Sequence, residues 1–467
     1  MRVVLTTFST FFLLISQMVL AGVLTDGGLD GQIAVNTITL EGNKMTRDNI
    51  VMRELEFFVG TSYLPSQLDS LIVKSRQNLL NRSLFNFVTI TKTVDRGLCD
   101  IRISMIERWY IWPIPIIQFA DRNLNAWIEK SDLKRLNYGI DLRVENFRGR
   151  MEKLNFVLQT GYDMVFASHW IVPYLDKNQV TGLSLKGGVR FNHEVPYRTV
   201  NNKPVYYRSP DEYARNFIFG GANVTFRPKY NYLHDLGFSY SSYVFQDTLL
   251  KLNPDFSIGT TCQYFSLTYT FKLDFRDYKP YPLNGYYFDV QIQKMGLGLF
   301  SKGIDVLWVG TTFDHYFPLI SRLYFAYNFS TRLSGNRNRP YFLSSGLGYN
   351  DLNVRGYDLY VIDGQNMGLI KSNLKFELIP QKTYHINWIK SKKFSEIFFA
   401  LYANVFFDMG YVSDYQYSQQ NPLANQLIWG TGLGLDFVTY YDVVIRLEAA
   451  MNKQKKSGFF ISFVAPI

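Results

Sequence analysis

The segment FSLTYTFKLDFR, residues 265–276, alternates strictly between apolar and polar side chains. The first set is apolar and rich in aromatic rings: Phe265, Leu267, Tyr269, Phe271, Leu273 and Phe275. The second set is polar: Ser266, Thr268, Thr270, Lys272, Asp274 and Arg276. Because successive side chains of a β-strand point to opposite faces, this pattern predicts a long strand with one apolar and one polar face.

The same period of two recurs from about Leu136 to the C-terminus. Further examples are residues 288–293, 323–329 and 443–448, with turn-rich stretches between them. A soluble sandwich also alternates, so alternation alone does not separate the two classes. The strands approach the roughly 9–11 residues that cross a bilayer, and their apolar face is aromatic. At roughly 20 residues per strand and loop, the sequence predicts a mainly β protein with a transmembrane antiparallel β-barrel of about 16 strands.

The composition of the 467-residue chain fits a barrel better than other classes. Aromatic residues make up 17% of the chain, as expected where aromatic girdles line two membrane interfaces. No apolar run of about 18 residues occurs past the N-terminus, so no membrane-spanning helix is predicted. The formal net charge is +10, but the Lys and Arg residues are scattered rather than gathered in a stripe. Nucleic acid is therefore not a predicted partner.

Residues that could catalyse a reaction or bind a metal are few and dispersed. Cys99 and Cys262 lie far apart, without metal-ligand spacing, and are predicted to be packed apolar residues. None of the five histidines belongs to an H-E-x-x-H or Cys/His pattern. The sequence therefore predicts no enzyme, and it implies no metal, nucleotide or other cofactor.

The chain divides into four predicted segments. Residues 1–22 have the charged start and short apolar stretch of a secretory signal peptide. Residues 32–107 predict a small α/β domain of order β-α-α-β-β, in which Thr46 caps the first helix. Residues 108–135 predict a connector containing tryptophan and proline, and residues 136–467 predict the barrel. Its first and last strands are expected at Leu136–Glu145 and Gly458–Ile467.

Two short motifs far apart in the chain belong together. The first is Val354-Arg355-Gly356-Tyr357 in a glycine-rich loop, and the second is Phe406-Phe407-Asp408-Met409-Gly410 in an alternating strand. Together they resemble the VRG(F/Y) and FxDxG motifs of the BamA/TamA-type outer-membrane proteins, and residues 32–107 resemble one POTRA domain of that superfamily. The resemblance implies that the loop folds into the lumen, where Arg355 docks against the strand that carries Phe406, Asp408 and Gly410. Tyr357 is expected to cover the arginine from water.

The resemblance also implies a function at the bacterial outer membrane, with the POTRA domain in the periplasm. The leading hypothesis is insertion of other β-barrel proteins: the POTRA edge strand with Phe87, Thr89 and Thr91 captures an extended client, and the barrel seam opens to template it. The first alternative is a two-partner-type secretion pore, and the second is a barrel enzyme or plain porin. Expected partners are unfolded outer-membrane or secreted polypeptides, outer-membrane lipid and possible accessory lipoproteins.

Overall fold

The computed structural model describes residues 31–119, 136–300, 303–335, 338–349, 352–389, 391, 395–439 and 443–464. The predicted signal peptide and the last three residues of the chain lie outside these ranges. Across the described residues, no helix combines the length and apolar character required to cross a membrane.

The N-terminal domain is a four-stranded sheet with two helices. Its elements are β1 (Ile33–Glu41), α1 (Asp48–Met52), β2 (Ser62–Tyr63), α2 (Pro65–Leu80), β3 (Phe85–Asp95) and β4 (Leu98–Glu107). The sheet order is β2-β1-β4-β3, and β1 and β4 are parallel. The predicted order of helices and long strands is present, with the short β2 added. Thr46 is not the helix cap, because its amide and hydroxyl groups both donate to the carboxylate of Glu107, and α1 begins at Asp48.

Most of the remaining described chain forms one 16-stranded antiparallel sheet, so the predicted mainly β fold with a barrel of about 16 strands is confirmed. Its first eight strands are β5 (Ile111–Phe119), β6 (Leu136–Phe147), β7 (Glu152–Gly161), β8 (Met164–Val172), β9 (Thr181–Asn192), β12 (Arg215–Phe226), β13 (Tyr232–Phe245) and β14 (Thr261–Asp274). Its last eight are β15 (Gly285–Met295), β16 (Val306–Ile320), β17 (Leu323–Ser334), β18 (Asn366–His385), β19 (Glu396–Ser413), β20 (Ile428–Thr439), β21 (Val444–Asn452) and β22 (Ser457–Val464). A side hairpin of β10 (Glu194–Val200) and β11 (Lys203–Arg208) follows β9, and α3 (Asp247–Leu252) follows β13.

Strand β14 shows how the alternation builds the wall. Leu267 and Tyr269 stay exposed on the outer face, whereas Ser266 and Thr270 are buried on the inner face. Each interior strand pairs with a neighbour on both sides, so its backbone groups are satisfied within the sheet. The apolar side chains can then face lipid at no hydrogen-bonding cost.

The predicted connector is wrong over residues 111–119. These residues form β5, the first strand of the large sheet, which pairs with β6 from Ile111↔Val144 to Phe119↔Leu136. Consequently Leu136–Glu145 lies in the second strand, and residues 120–135 fall outside the described ranges. Pro113 and Pro115 obscured the strand in the sequence, but a terminal strand of a sheet needs donors on one side only and therefore tolerates proline.

The N-terminal domain docks on four turns at one end of the barrel, which is called the near end. Arg53 donates to the carbonyls of Gln179 and Arg227, each at 3.2 Å. Asn81 forms two hydrogen bonds, to the carbonyl of Asp277 and from the amide of Lys279. Further bonds link Thr46 to Asn146 and Arg47 to Gly149. The domain is thus fixed to the near-end turns at residues 146–149, 179, 227 and 277–279.

A buried charge cluster lies at the centre of this docking surface. Glu54 of the domain is within 3.0 Å of Arg82 and 3.3 Å of Arg227, and its carboxylate also accepts from the hydroxyl of Tyr174. Burial, followed by the negative charge of Glu54, raises the pKa of Tyr174 to about 12. One carboxylate therefore compensates two buried guanidinium groups, one from each domain.

We expect Glu54→Ala to release the N-terminal domain from the barrel. The change leaves Arg82 and Arg227 buried together without an anion, which costs about 3–5 kcal/mol. Hydrogen exchange across residues 146–151 and 173–180 should increase in this variant. Glu56→Ala is the matched control, because the Glu56 carboxylate contacts the half-exposed Lys74, an ion pair worth about 0–1 kcal/mol, and accepts one hydrogen bond from Asn78 within the same domain. Equal effects of the two variants would contradict the role assigned to the cluster.

Candidate functional site

The loop between β17 and β18 leaves the far end of the barrel and folds back into the interior. Val354 and Tyr357 are buried in a cluster with Leu347, Ile362, Met367, Leu369, Val412, Leu423, Ala424 and Ile428, which come from the loop itself and from β18, β19, β20 and the loop between β19 and β20. The Tyr357 hydroxyl contacts Gln454 in the turn before β22. This lumen loop, residues 338–349 and 352–365, is therefore packed as core rather than solvated.

Arg355 and Asp408 meet inside the barrel. The Arg355 Nε donates to Asp408 Oδ2 at 2.7 Å, and Nη2 donates to Oδ1 at 2.6 Å. The backbone amide of Arg355 adds a third bond to Oδ2 at 3.1 Å. Arg355 is 6% exposed and Asp408 is fully buried. The planar guanidinium matches the carboxylate in a two-pronged contact, which fixes the direction of the loop as well as its position.

Three further residues complete the arginine site. Glu448 of β21 accepts from Arg355 Nη1 at 3.1 Å, and Asn373 of β18 accepts from the same atom at 2.8 Å. The Phe406 ring centroid lies 3.8 Å from the guanidinium carbon, so Phe406 covers one face of the arginine. Glu448 and Asn373 lie outside both sequence motifs. Their only signal in the sequence is the polar position each occupies in an alternating strand.

Glycine permits the close approach of the loop to the wall. A Cβ built on Gly430 of β20 would lie 1.9 Å from the carbonyl oxygen of Arg355, and one built on Gly410 would lie 2.6 Å from a methyl group of Val354. The first obstacle is backbone, whereas the second is a side-chain end that can move. Gly430 is thus as much a part of the docking site as the predicted Gly410.

We expect Gly430→Ala to push the loop away from β20 and to expose it to protease. The added methyl group cannot coexist with the Arg355 carbonyl, so the loop must shift and its buried contacts must loosen. Gly368→Ala is the matched control, because no atom lies within 4 Å of a Cβ built there, in strand β18. Limited proteolysis should cleave residues 338–365 faster in the first variant only; equal cleavage would contradict the close-packed docking.

A second charged network lies deeper toward the near end. Tyr281, from the turn between β14 and β15, donates to Asp436 at 2.8 Å, and Arg446 donates to the same carboxylate at 2.8 Å. The Lys375 ammonium lies 4.0 Å from the Tyr281 ring. Because Arg446 also lies 4.0 Å from Glu448, this network is continuous with the arginine site.

The far end of the barrel is covered by a cap of interlocked loops. At the tip of the β10–β11 hairpin, the backbone N–H of Asn202 donates to the Asn421 side-chain oxygen at 3.0 Å, and the Asn202 side-chain nitrogen donates to the Val361 carbonyl at 3.2 Å. The Asn202 side-chain oxygen also accepts from the backbone N–H of Leu423 at 3.0 Å. Asn421 in turn donates to the carbonyl of Thr199. The hairpin is therefore tied to the lumen loop and to the loop between β19 and β20.

The carboxyl groups of Asp363 and Asp414 are buried beneath this cap. Asp363 is 2% exposed and accepts from the Tyr349 hydroxyl. Burial raises the pKa of the Asp363 carboxyl to about 6, while hydrogen bonds from Thr199 and Tyr349 oppose the shift and the nearby charge of Asp414 adds to it. Among the described residues, no group of three or more His, Cys, Asp and Glu side chains is placed to hold a metal ion.

The predicted client-binding residues of the N-terminal domain need correction. Strand β3, which carries them, is one of the two edge strands of its sheet. However, the backbone N–H of Arg108 donates to the Leu84 carbonyl, and the backbone N–H of Ala34 donates to the Gly97 carbonyl. These two bonds determine which residues of β4 bond to β3 and which bond to β1. The backbone groups of Phe87, Thr89 and Thr91 therefore bond to β4. The residues whose backbone groups face the free edge are Val88, Ile90, Lys92 and Val94. A bulge after Phe85 shifts the register of β3 against β4, and the sequence alone does not reveal that shift.

The fold and the loop together define a class: an outer-membrane β-barrel with an inward-folded, arginine-anchored loop and one α/β domain at its near end. The model of the Omp85 superfamily domain matches residues 146–457, and the POTRA model, described as a surface antigen variable number repeat, matches residues 33–106. The chain therefore belongs to the Omp85 superfamily. This membership supports a role in the insertion or secretion of polypeptides at the outer membrane.

Solved structures share the architecture at low sequence identity. BamA from Haemophilus ducreyi lacking POTRA domains 1–3 is 16% identical with a TM-score of 0.52, over 92% of this chain and 83% of that one. CdiB from Escherichia coli is 13% identical with a TM-score of 0.57, over 94% of this chain and 79% of that one. At these identities the likeness shows the fold alone. A comparison with curated protein sequences finds no match.

Proposed function

We propose that this protein inserts β-barrel proteins into the outer membrane and that the client leaves through the barrel wall. The observation that carries the proposal is the obstruction of the lumen at two levels. The Arg355 loop is packed against β19 and β20, and the far end is capped by the Asn202 hairpin. A polypeptide crossing the lumen would have to break both, whereas the wall has one junction between its terminal strands.

The POTRA domain, placed in the periplasm in this proposal, would receive the client. Strand β3 presents its free edge with the backbone groups of Val88, Ile90, Lys92 and Val94. An extended polypeptide can add to such an edge through main-chain hydrogen bonds, without a fixed client sequence. The Val88 carbonyl already accepts from Arg76 at 2.8 Å, so capture would use the Ile90–Val94 part of the edge.

We expect Val94→Pro to reduce client capture. Val94 is 47% exposed and its N–H faces the free edge, so proline removes one edge donor at little cost to the domain core. Photocrosslinking from the POTRA domain to an unfolded outer-membrane protein should fall, whereas Val94→Ala should leave it unchanged. Thr91→Pro serves as a second comparison, because it removes a β3–β4 ladder bond and should unfold the edge itself. Normal crosslinking by Val94→Pro would contradict edge capture.

The alternative is a secretion pore, which the Omp85 fold also supports. In that case the lumen loop and cap would have to move aside as one unit, since Val361 of the loop is bonded to Asn202 of the hairpin. Accessory lipoproteins would act with the protein in either mode.

The experiment that tests the proposal is reconstitution. The full chain is placed in liposomes of outer-membrane lipid, and an unfolded eight-stranded barrel protein is added as client. Insertion should make the client migrate faster on an unheated gel than on a heated one, because a closed barrel resists detergent. Client recovered inside the vesicle in protease-protected, unfolded form would instead indicate secretion and overturn the proposal.

A further inference from the structure

The hairpin that joins β18 to β19 extends beyond the rest of the sheet at the near end. These strands have 20 and 18 residues, whereas about 9–11 residues cross a bilayer. The pairing of β17 with β18 stops at Phe376, and the pairing of β20 with β19 begins at Phe399. Among the described residues, 378–389, 391 and 395–398 therefore form an extension without a paired neighbour in the sheet. This extension is called the near-end hairpin.

The lipid-side face of the barrel continues onto the near-end hairpin. Val405 of β19 is 50% exposed on the outer face, and the period of two places Phe399 and Ile397 on that same face. Directly opposite them in β18 lie Lys382 and Tyr384. Residues that are paired directly across an antiparallel ladder share one face. The outer face of the hairpin is therefore aromatic and aliphatic, with one lysine.

The opposite face of the same β18 segment is polar. Thr383 and His385 alternate with the outward residues of this strand, and both are exposed. The hairpin is thus amphipathic beyond the point where the barrel wall ends. Its apolar side follows the wall that faces lipid, and Tyr384 on that side remains 48% exposed. In water this face would stay uncovered, whereas the membrane surface beside the barrel can cover it.

Two bulges at the base of the near-end hairpin allow it to turn along the membrane. The register shifts between Glu377 and Ile379 and again between Ile379 and Lys382, each time with one extra residue in β18. An extra residue bends its strand locally and increases the twist. A hairpin that bends at its base can keep its outer face against the lipid surface.

The tip carries residue types that suit the headgroup layer. Trp388 is 84% exposed, and tryptophan and tyrosine are enriched where a membrane meets water. Their rings reach the acyl boundary, while a lysine ammonium group can extend to the phosphates. By sequence, residues 378–399 contain four lysines and a single acidic residue, Glu396. This excess of positive charge favours anionic headgroups over zwitterionic ones.

We propose that the near-end hairpin binds the anionic phospholipid surface of the adjacent leaflet through Lys382, Tyr384 and Trp388. Lys382 would contact the headgroup phosphates, and the two rings would lie at the acyl boundary. In the orientation proposed above, this is the periplasmic leaflet. The POTRA domain docks on turns between other strands, so the hairpin anchors a separate part of the near end. The contact is required equally for insertion and for secretion.

Fluorescence quenching tests the contact in the full chain. Cys99 and Cys262 are replaced by alanine, and a cysteine that carries the fluorophore NBD replaces Asn387, beside Trp388. A label at Thr383, on the polar face, is the matched control. The vesicles contain phosphatidylcholine with or without phosphatidylglycerol, together with a lipid that has a nitroxide near the top of its acyl chain. Quenching at residue 387 should exceed quenching at residue 383, and it should fall when phosphatidylglycerol is omitted.

Two variants test the residues assigned to the contact. Lys382→Gln should lower the ratio of bound to free hairpin about fivefold, the factor that one lysine contributes at an anionic surface. Trp388→Ala should also lower this ratio. Lys455→Gln is the matched control, because Lys455 is exposed in the turn before β22 at the far end, and it should leave the quenching unchanged. Heat-dependent gel migration verifies that each variant is folded.

Three outcomes would overturn the inference: equal quenching at residues 387 and 383, quenching that does not depend on phosphatidylglycerol, or equal effects of Lys382→Gln and Lys455→Gln. A label that is shielded only after addition of an unfolded polypeptide would assign the hairpin to protein binding instead. Client insertion is measured in the same vesicles. Insertion without lipid-dependent quenching overturns only the lipid contact, whereas lipid-dependent quenching without insertion overturns only the proposed function.

Discussion

Replacing Arg355 by alanine should release the lumen loop from the barrel wall. The change removes three side-chain bonds to two carboxylates: it leaves Asp408 buried without its ion-pair partner, and it leaves Glu448 with only the 4.0 Å contact to Arg446. Breaking a buried ion pair from one side costs about 3–5 kcal/mol, enough to convert a packed loop into an open one. Hydrogen exchange within residues 352–365 should accelerate strongly, and client insertion should fall with it.

The double variant distinguishes a contact from two independent defects. If Arg355 and Asp408 act through each other, Arg355→Ala combined with Asp408→Ala should be little worse than either change alone, with a coupling energy of about 2–3 kcal/mol. Arg143 and Asp141 provide a matched control inside the same barrel, since they also pair at 2.7 Å but Arg143 is 49% exposed. Simple additivity at the buried pair would contradict the assigned contact.

Fixing β5 to β22 should abolish insertion while leaving the barrel folded. Cys99 and Cys262 are buried and form no disulfide with each other, and both are first replaced by alanine. Cysteine at Ile117 is then combined with cysteine at Ser457 or Phe459, and the pair that oxidises completely is retained, which requires Cα atoms within about 7 Å. The oxidised form should insert client at least about tenfold more slowly, because neither strand can offer its edge, and reductant should restore the rate.

The general fold could be predicted because alternation reports the environment of each strand directly. Residues 265–276 carry the pattern without interruption, and the structure places the polar set inward and the apolar set outward. The start of the barrel could not be predicted, because β5 bonds on one side only and contains Pro113 and Pro115. Proline normally signals the absence of a strand, and only the pairing with β6 shows that its missing donors face the seam.

The arginine site could be predicted only in part, for a different reason. Arg355 and Asp408 belong to motifs whose letters are visible in the sequence, and the structure brings them together. Glu448, Asn373 and Gly430 complete the site from three other strands, and their contribution depends on the register of the sheet. A shift of one residue would turn each of them to the lipid face, so no local pattern could identify them.

Two disulfide locks, compared in one insertion assay, distinguish exit through the wall from passage through the lumen. The seam lock is the β5–β22 disulfide, and the lumen lock joins Val354→Cys to Gly410→Cys, where a Cβ on Gly410 would lie 2.6 Å from a Val354 methyl group. The oxidised lumen lock should insert client at the rate of its reduced form, whereas the oxidised seam lock should not insert client. Client transport that persists when the seam is locked and stops when the lumen is locked would show that the client passes through the lumen.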